Sequence, residues 1–113
     1  MSAPCFVYVT TKDRAEACEI GRTLVEARLV ACANVFDPVT SIYWWEGAVQ
    51  EDAEAVLVMK TQADLVAALT ERVKEIHSYD CPCVVALPIE GGNPAYLDWI
   101  GEETSAVPSQ QKK

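Results

Sequence analysis

One histidine, His77, precedes two cysteines, Cys81 and Cys83, within a short stretch, and imidazole with two thiolates is a donor set that suits Cu(I) or Zn(II). The Cys-Pro-Cys spacing lacks the two-residue gap of common zinc knuckles, and strand alternation aims Cys83 away from its next neighbour. The simpler reading of His77 is a capping residue near a helix C-terminus, where positive charge interacts favourably with the dipole. Cys32 lies between Ala31 and Ala33 and reads first as a small core residue. Lys60 closes an apolar run, where a lysine usually snorkels to solvent. Glu46, Glu51, Asp52 and Glu54 cluster around a turn. They offer oxygen ligands to divalent cations, or form a solvated loop that blunts edge pairing. Gly91-Gly92-Asn93 opens a helix and presents N–H groups to an anion, although the phosphate-loop lysine is missing and a simple turn and cap suffices.

Other chemistry is excluded more firmly. No nucleophile elbow, His-rich hydrolase motif or dinucleotide fingerprint occurs, and a lone histidine without a nucleophile makes no triad, so the sequence predicts no enzyme. The loop after the first apolar run, Thr10-Thr11-Lys12-Asp13-Arg14, lacks the glycine of an acylphosphatase-type phosphate cradle. Nine Lys plus Arg against seventeen Asp plus Glu leave a net charge of -8, which disfavours nucleic acid and anionic membranes. Five cysteines, an odd number set mostly among apolar residues, suit reduced thiols. No run is long enough to span a bilayer and no secretory signal is visible, so the expected location is cytoplasmic.

The elements that must position these groups follow from periodicity. Cys5 to Thr10 is β-branched and aromatic and reads as a strand. Asp13 and Glu16 mark a helix start, after which Ala17, Ile20, Gly21, Leu24 and Val25 recur at helical spacing. Gly21 costs about 1 kcal/mol inside a helix, so its place on the apolar stripe predicts close approach of helix to sheet. Val30 to Phe36 reads as a strand bent at Asp37-Pro38 and resuming from Thr40 to Glu46, with Glu54 to Thr61 as the next. Leu65, Val66, Leu69, Val73 and Ile76 mark a second helix, Cys83 to Ile89 a fourth strand, and Asn93-Pro94 the start of a short last helix. The predicted fold is α+β: a single ferredoxin-like βαββαβ domain over residues 1–104 with a short C-terminal helix, then a polar, unstructured tail over 105–113.

Both parities of these strands are apolar. Phe6 and Tyr8 oppose Val7 and Val9, and Val84 and Ala86 oppose Val85 and Leu87. Two helices shield one face, so the other needs a partner. Tyr43 and Trp45 point one way and Trp44 the other, and each ring can bury roughly 150 to 250 Å². The chain is therefore expected to assemble with copies of itself.

The segments Ala31-Cys32-Ala33-Asn34, Ser41-Ile42-Tyr43-Trp44-Trp45-Glu46-Gly47, Lys60-Thr61, His77 with Tyr79 and Pro82, Leu87-Pro88-Ile89 and Tyr96-Leu97-Asp98-Trp99 together resemble the CutA family of divalent-cation tolerance proteins. The resemblance runs from about Val7 to Trp99. It implies a homotrimer of ferredoxin-like subunits whose strands pair between copies, similar in architecture to PII-type signalling proteins. It also implies a link to tolerance of copper and other divalent metals. Departures are present: Ser78 stands where the family commonly has proline, Cys83 where it has glutamate, and Ala48 where it has a basic residue. Copper ligands attributed to some bacterial members correspond to Val9, Ile76 and His77, so only one potential ligand of that site survives.

Under this resemblance the trimer interface centres on Tyr43, Trp44 and Trp45, and Cys32, Trp45, Lys60 and Tyr79 line a cleft between subunits. Two functions remain open. One is a non-enzymatic trimer in metal tolerance, needing no cofactor but able to bind a divalent or soft ion (Cu, Zn), with His77, Cys81 and Cys83 as ligands. The other is a PII-like module whose cleft uses Lys60 to hold a small anionic ligand.

Overall fold

The β-branched run near the start forms β1, Pro4–Thr11, in the computed structural model, which describes residues 2–104. There follow α1, Arg14–Glu26, β2, Cys32–Trp45, and β3, Ala48–Gln62. A 3-10 turn, Ala63–Leu65, leads into α2, Val66–Ile76, and then come β4, Val84–Pro88, and α3, Pro94–Glu103. The tail expected to be unstructured lies outside the described residues.

Local chemistry sets the helix starts. The Asp13 carboxylate accepts the Glu16 N–H at 2.9 Å, and Glu16 reaches back to the Lys12 N–H at 3.1 Å, a close variant of the capping box. Asn93 caps α3 by accepting the Ala95 N–H at 3.2 Å, with Pro94 in the first turn, where a missing N–H costs nothing. Glu16 has a second task. It accepts the Ser78 N–H at 2.8 Å and the Ser78 hydroxyl at 3.0 Å, tying the start of α1 to the loop after α2.

Burial works to raise the Glu16 pKa, but the hydrogen bonds from Lys12 and Ser78 outweigh it and hold the carboxyl below its usual range. A carboxyl depressed in the folded state stabilises the fold above its unfolded pKa of about 4.3 and loses that contribution as pH falls through the folded value. Glu16→Gln is therefore expected to flatten part of the acid slope of stability between pH 5 and pH 2, read from urea midpoints. Parallel slopes for the two proteins would refute this role.

The four strands form one antiparallel sheet in the order β2-β3-β1-β4. Register assigns the faces, because paired residues share a side. Val7 pairs with Met59 and Val9 with Leu57, and these four pack with Ile20, Leu24, Leu69 and Val73 of the helices in a buried core. On the opposite face Leu87, Phe6, Lys60 and Cys32 form one row, and Val85, Tyr8, Val58 and Asn34 the next. Phe6, Tyr8, Val85 and Leu87 remain exposed there, Leu87 by 55%. The two-sided apolarity seen in the sequence thus becomes one covered face and one open one.

Gly21 lies where the stripe placed it. A Cβ at this position would stand 3.1 Å from both Ala33 Cβ and Leu57 Cδ1, so only a glycine lets α1 come this close without displacing its neighbours.

The middle of the sheet corrects the sequence reading. The strand expected to bend at Asp37-Pro38 and resume runs as one element, with Asp37 and Pro38 bulging out between the pairs Phe36–Val56 and Val39–Glu54. The next strand starts at Ala48, before the expected Glu54, because Gln50, Glu51 and Asp52 continue the ladder with β2. The acidic cluster expected in a loop is consequently spread along β3, with Glu51 on one side and Asp52 and Glu54 on the other. The hairpin closes on Glu46 and Gly47, with φ of 50° and 79°; two positive φ values in a two-residue loop are the requirement of a type I′ turn. Fourth-strand pairing is confined to Val84–Pro88, so Cys83 sits in the preceding loop.

Candidate functional site

The bulge decides what the long hairpin presents. One extra residue in β2 switches which parity faces which side. Before it Cys32 and Asn34 point to the open face; after it Ser41, Tyr43 and Trp45 do. Trp44 is turned to the other side, 74% exposed, and Trp45 is 58% exposed.

Under this hairpin lies a cavity of about 530 Å³. Its walls are Tyr43 and Trp45 from β2, Glu54 from β3, and Tyr79, Cys81 and Cys83 from the loop between α2 and β4. Tyr79 donates its phenol to Glu54 at 2.6 Å. Burial first, and then this carboxylate, push the Tyr79 pKa far above that of a free phenol, so the group stays a donor. Tyr43 donates in the same way to Asp52. Burial raises the Cys83 thiol, helped by the Glu54 charge and opposed by hydrogen bonds from Thr10.

His77 anchors the loop. It is buried at the end of α2. Its Nδ1 accepts the Tyr79 N–H at 3.0 Å, which leaves Nε2 as the donor to the Thr10 carbonyl at 2.8 Å. Its ring also packs on Tyr79, with centroids 4.7 Å apart. Both ring nitrogens are thus committed to backbone, and neither is free for a metal. Among the described residues, no group of three His, Cys, Asp or Glu side chains is placed to hold an ion. His77, Cys81 and Cys83 therefore do not come together as a ligand set, although the two cysteines share the cavity.

A second cluster sits on the open face at the other end of β3. The Lys60 ammonium lies 3.6 Å from the Cys32 sulfur and 3.1 Å from Asn34 Oδ1, between the rings of Phe6 and Tyr96 at 5.7 and 5.9 Å. The Tyr96 hydroxyl is 3.5 Å from the same sulfur, and burial followed by that sulfur pushes its pKa up to about 12. Cys32 and Lys60 thus meet, as do Trp45 and Tyr79. Lys60 and the Glu54 that Tyr79 binds are six positions apart on β3, roughly 20 Å along a strand. A single chain does not unite the four cleft residues.

Sequence reasoning missed Glu54 as the partner of Tyr79, and Phe6, Asn34 and Tyr96 as the surroundings of Lys60. Asn34 had a local signal, standing two residues from Cys32 on the same strand face. Tyr96 had none, because 64 positions separate it from Cys32.

Residues 5–103 match the family model described as CutA1 divalent ion tolerance protein. The chain belongs to the CutA1 family. Protein CutA of Mus musculus is 47% identical over 100 residues, covering 88% of this chain and 56% of the mouse protein. The divalent-cation tolerance protein CutA of Thermus thermophilus is 47% identical over 98 residues, covering 87% of this chain and 95% of its own. Crystalline CutA1 from Oryza sativa superposes with a TM-score of 0.88 at 43% identity, over 94% of this chain and 98% of the rice chain. The chain thus spans about half the length of the mouse protein and of the curated rice relative, 56% and 55%, but nearly all of the Thermus one. The names of the CutA relatives differ in compartment: one rice protein is called chloroplastic and the Archaeoglobus fulgidus protein periplasmic. Among the described residues no helix is long and apolar enough to cross a membrane.

Proposed function

We propose that this chain is a ferredoxin-like subunit of a homotrimer that serves in tolerance to divalent metal ions, copper among them, without catalysing a reaction. The observation that carries the functional half is the CutA1 match over residues 5–103. The architectural half is supported by strand order β2-β3-β1-β4 with a βαββαβ succession, and by the open apolar face with its projecting tryptophans. Monomers rarely expose a large contiguous apolar patch, and further copies of the chain would offer matching apolar surface. The five free cysteines suit a reducing compartment, and we place the protein in the cytoplasm.

Light scattering on the purified protein should give three times the 12.4 kDa chain mass; a monomer mass at micromolar concentration would overturn the assembly. Cells lacking the gene should stop growing at lower copper concentration than their parent, and recover when it is restored. Equal thresholds would sink the tolerance role.

A second reading rests on Lys60. Among the described residues its hydrogen-bond partners are Asn34 and Cys32 rather than a carboxylate, which leaves a cation on the open face near two rings. In a PII-like assembly such a cation, facing Trp45 and Tyr79 of a neighbouring copy, would hold a small anionic ligand. A ligand favouring the native state must raise its melting temperature. Stabilisation by metals but by no anionic metabolite would leave this reading without support.

A further inference from the structure

On a chain with seventeen Asp and Glu, the Lys60 ammonium turns to a thiol and an amide, donating to the Cys32 sulfur at 3.6 Å and to Asn34 Oδ1 at 3.1 Å. Backbone fixes this meeting. Cys32 and Lys60 stand directly opposite each other in the β2–β3 ladder, where facing residues of an antiparallel pair lie roughly 4.5 to 5.5 Å apart at Cα. The Ala31 N–H bonds the Lys60 carbonyl at 2.8 Å beside them, so the two side chains stay neighbours for as long as the sheet is closed. The Tyr96 hydroxyl, from α3, adds a third contact to the sulfur at 3.5 Å. Both residues are only half-buried, and the pair lies wholly within one chain. No second copy is needed to bring the groups together. A thiol and a primary amine in contact are the two ends of a sulfur–nitrogen bond.

We propose that Cys32 and Lys60 are an oxidative modification site, which a hydroperoxide converts to an intrachain sulfenamide. In the first step the sulfur takes one peroxide oxygen: the S–O bond forms, the O–O bond breaks, and the other oxygen leaves with the thiol proton, as water when the oxidant is hydrogen peroxide. Sulfur is oxidised by two electrons and the peroxide is reduced by two. In the second step Lys60, having given one proton to solvent, attacks that sulfur; the S–N bond forms, the S–O bond breaks, and the hydroxyl leaves as water with an amine proton. Sulfenic acids condense in this way with backbone nitrogen, and an amine held 3.6 Å away has the advantage of proximity over any thiol in solution. The consequence for a small anion rests on the Lys60 reading above: the bridging nitrogen is no longer an ammonium, so the oxidised site has lost its cation.

The test exposes the reduced, assembled protein to a small excess of hydrogen peroxide, alkylates the remaining thiols and reads intact and peptide masses. The wild type should lose two hydrogens and one alkylatable thiol, yield a peptide pair joined through Cys32 and Lys60, and regain its starting mass with dithiothreitol. Lys60→Arg keeps a cation beside the sulfur and should stop at a Cys32 sulfenic acid, which dimedone labels. Cys32 found in a disulfide, as a sulfinic acid, or unchanged while Cys81 is oxidised would each overturn the site. The joined pair is read in the wild type, so a folding defect in the variant does not decide the outcome. Thermal melting with inorganic phosphate reads the ligand separately. Phosphate that stabilises the reduced protein and not the oxidised one supports the loss of the cation, and phosphate that stabilises both overturns it. Phosphate that stabilises neither counts against the Lys60 reading, while the joined peptide alone decides the bond.

Discussion

Replacing Trp44 and Trp45 together by glutamate is expected to release folded monomers from the proposed trimer. The two rings stand on opposite sides of the hairpin, 74% and 58% exposed in the single chain, so neither contributes much to the fold of that chain. Buried against a neighbour, each would resemble the tryptophan hot spots whose truncation costs about 2 kcal/mol or more. The pair should then weaken association by at least about a thousandfold, at 1.4 kcal/mol per factor of ten. Two new carboxylates on an already acidic chain add to that loss. Light scattering should show the mass fall to that of one chain while far-ultraviolet circular dichroism keeps its wild-type shape. A variant that stays assembled would show that the hairpin is not the interface. A variant that unfolds would show that the hairpin stabilises its own chain.

Leu57→Ala is expected to cause the largest loss within the chain, about 2–5 kcal/mol. Leu57 is fully buried on β3, a central strand, and its Cδ1 lies where a side chain at Gly21 would have to go. The neighbouring helix already approaches as closely as a glycine permits, so there is little slack for the walls to collapse into the space left behind. Against a total stability of 5–15 kcal/mol typical of such domains, this is a large fraction. The measurement is best made in the monomeric Trp44/Trp45 background, where the urea midpoint does not depend on protein concentration. In that background Leu87→Ala, on the open face, should fall within about 0.5 kcal/mol of its parent. Equal losses at both positions would contradict the assignment of one covered and one open face.

The contrast between these two leucines shows where legibility ended. Alternation told that both faces of the strands are apolar, but not which the helices take. Gly21 and the Asn93-Pro94 cap were readable because helix periodicity and capping act over one or two turns. The true start of β3 was not: Gln50, Glu51 and Asp52 extend a two-stranded ribbon beyond the core, where no hydrophobic alternation marks a strand. For the same reason four nearby carboxylates looked like one cluster, and pairing distributes them over two sides. His77 was open to two readings, cap or ligand, until the loop was seen to fold its two nitrogens onto the Tyr79 and Thr10 backbone.

Element order, the helix starts and the apolarity of both strand faces were determined by the sequence itself, since caps, turns and side-chain alternation are short-range. What only the tertiary structure decided is which groups meet. The bulge at Asp37 and Pro38 turns Tyr43 and Trp45 toward the same side as Cys32 and Lys60, and the loop after α2 brings Tyr79, Cys81 and Cys83 beneath them. One extra residue in a strand reverses every side chain beyond it; the proline marked the bend at Asp37-Pro38, but only the pairing shows that the partner strand adds no residue to match.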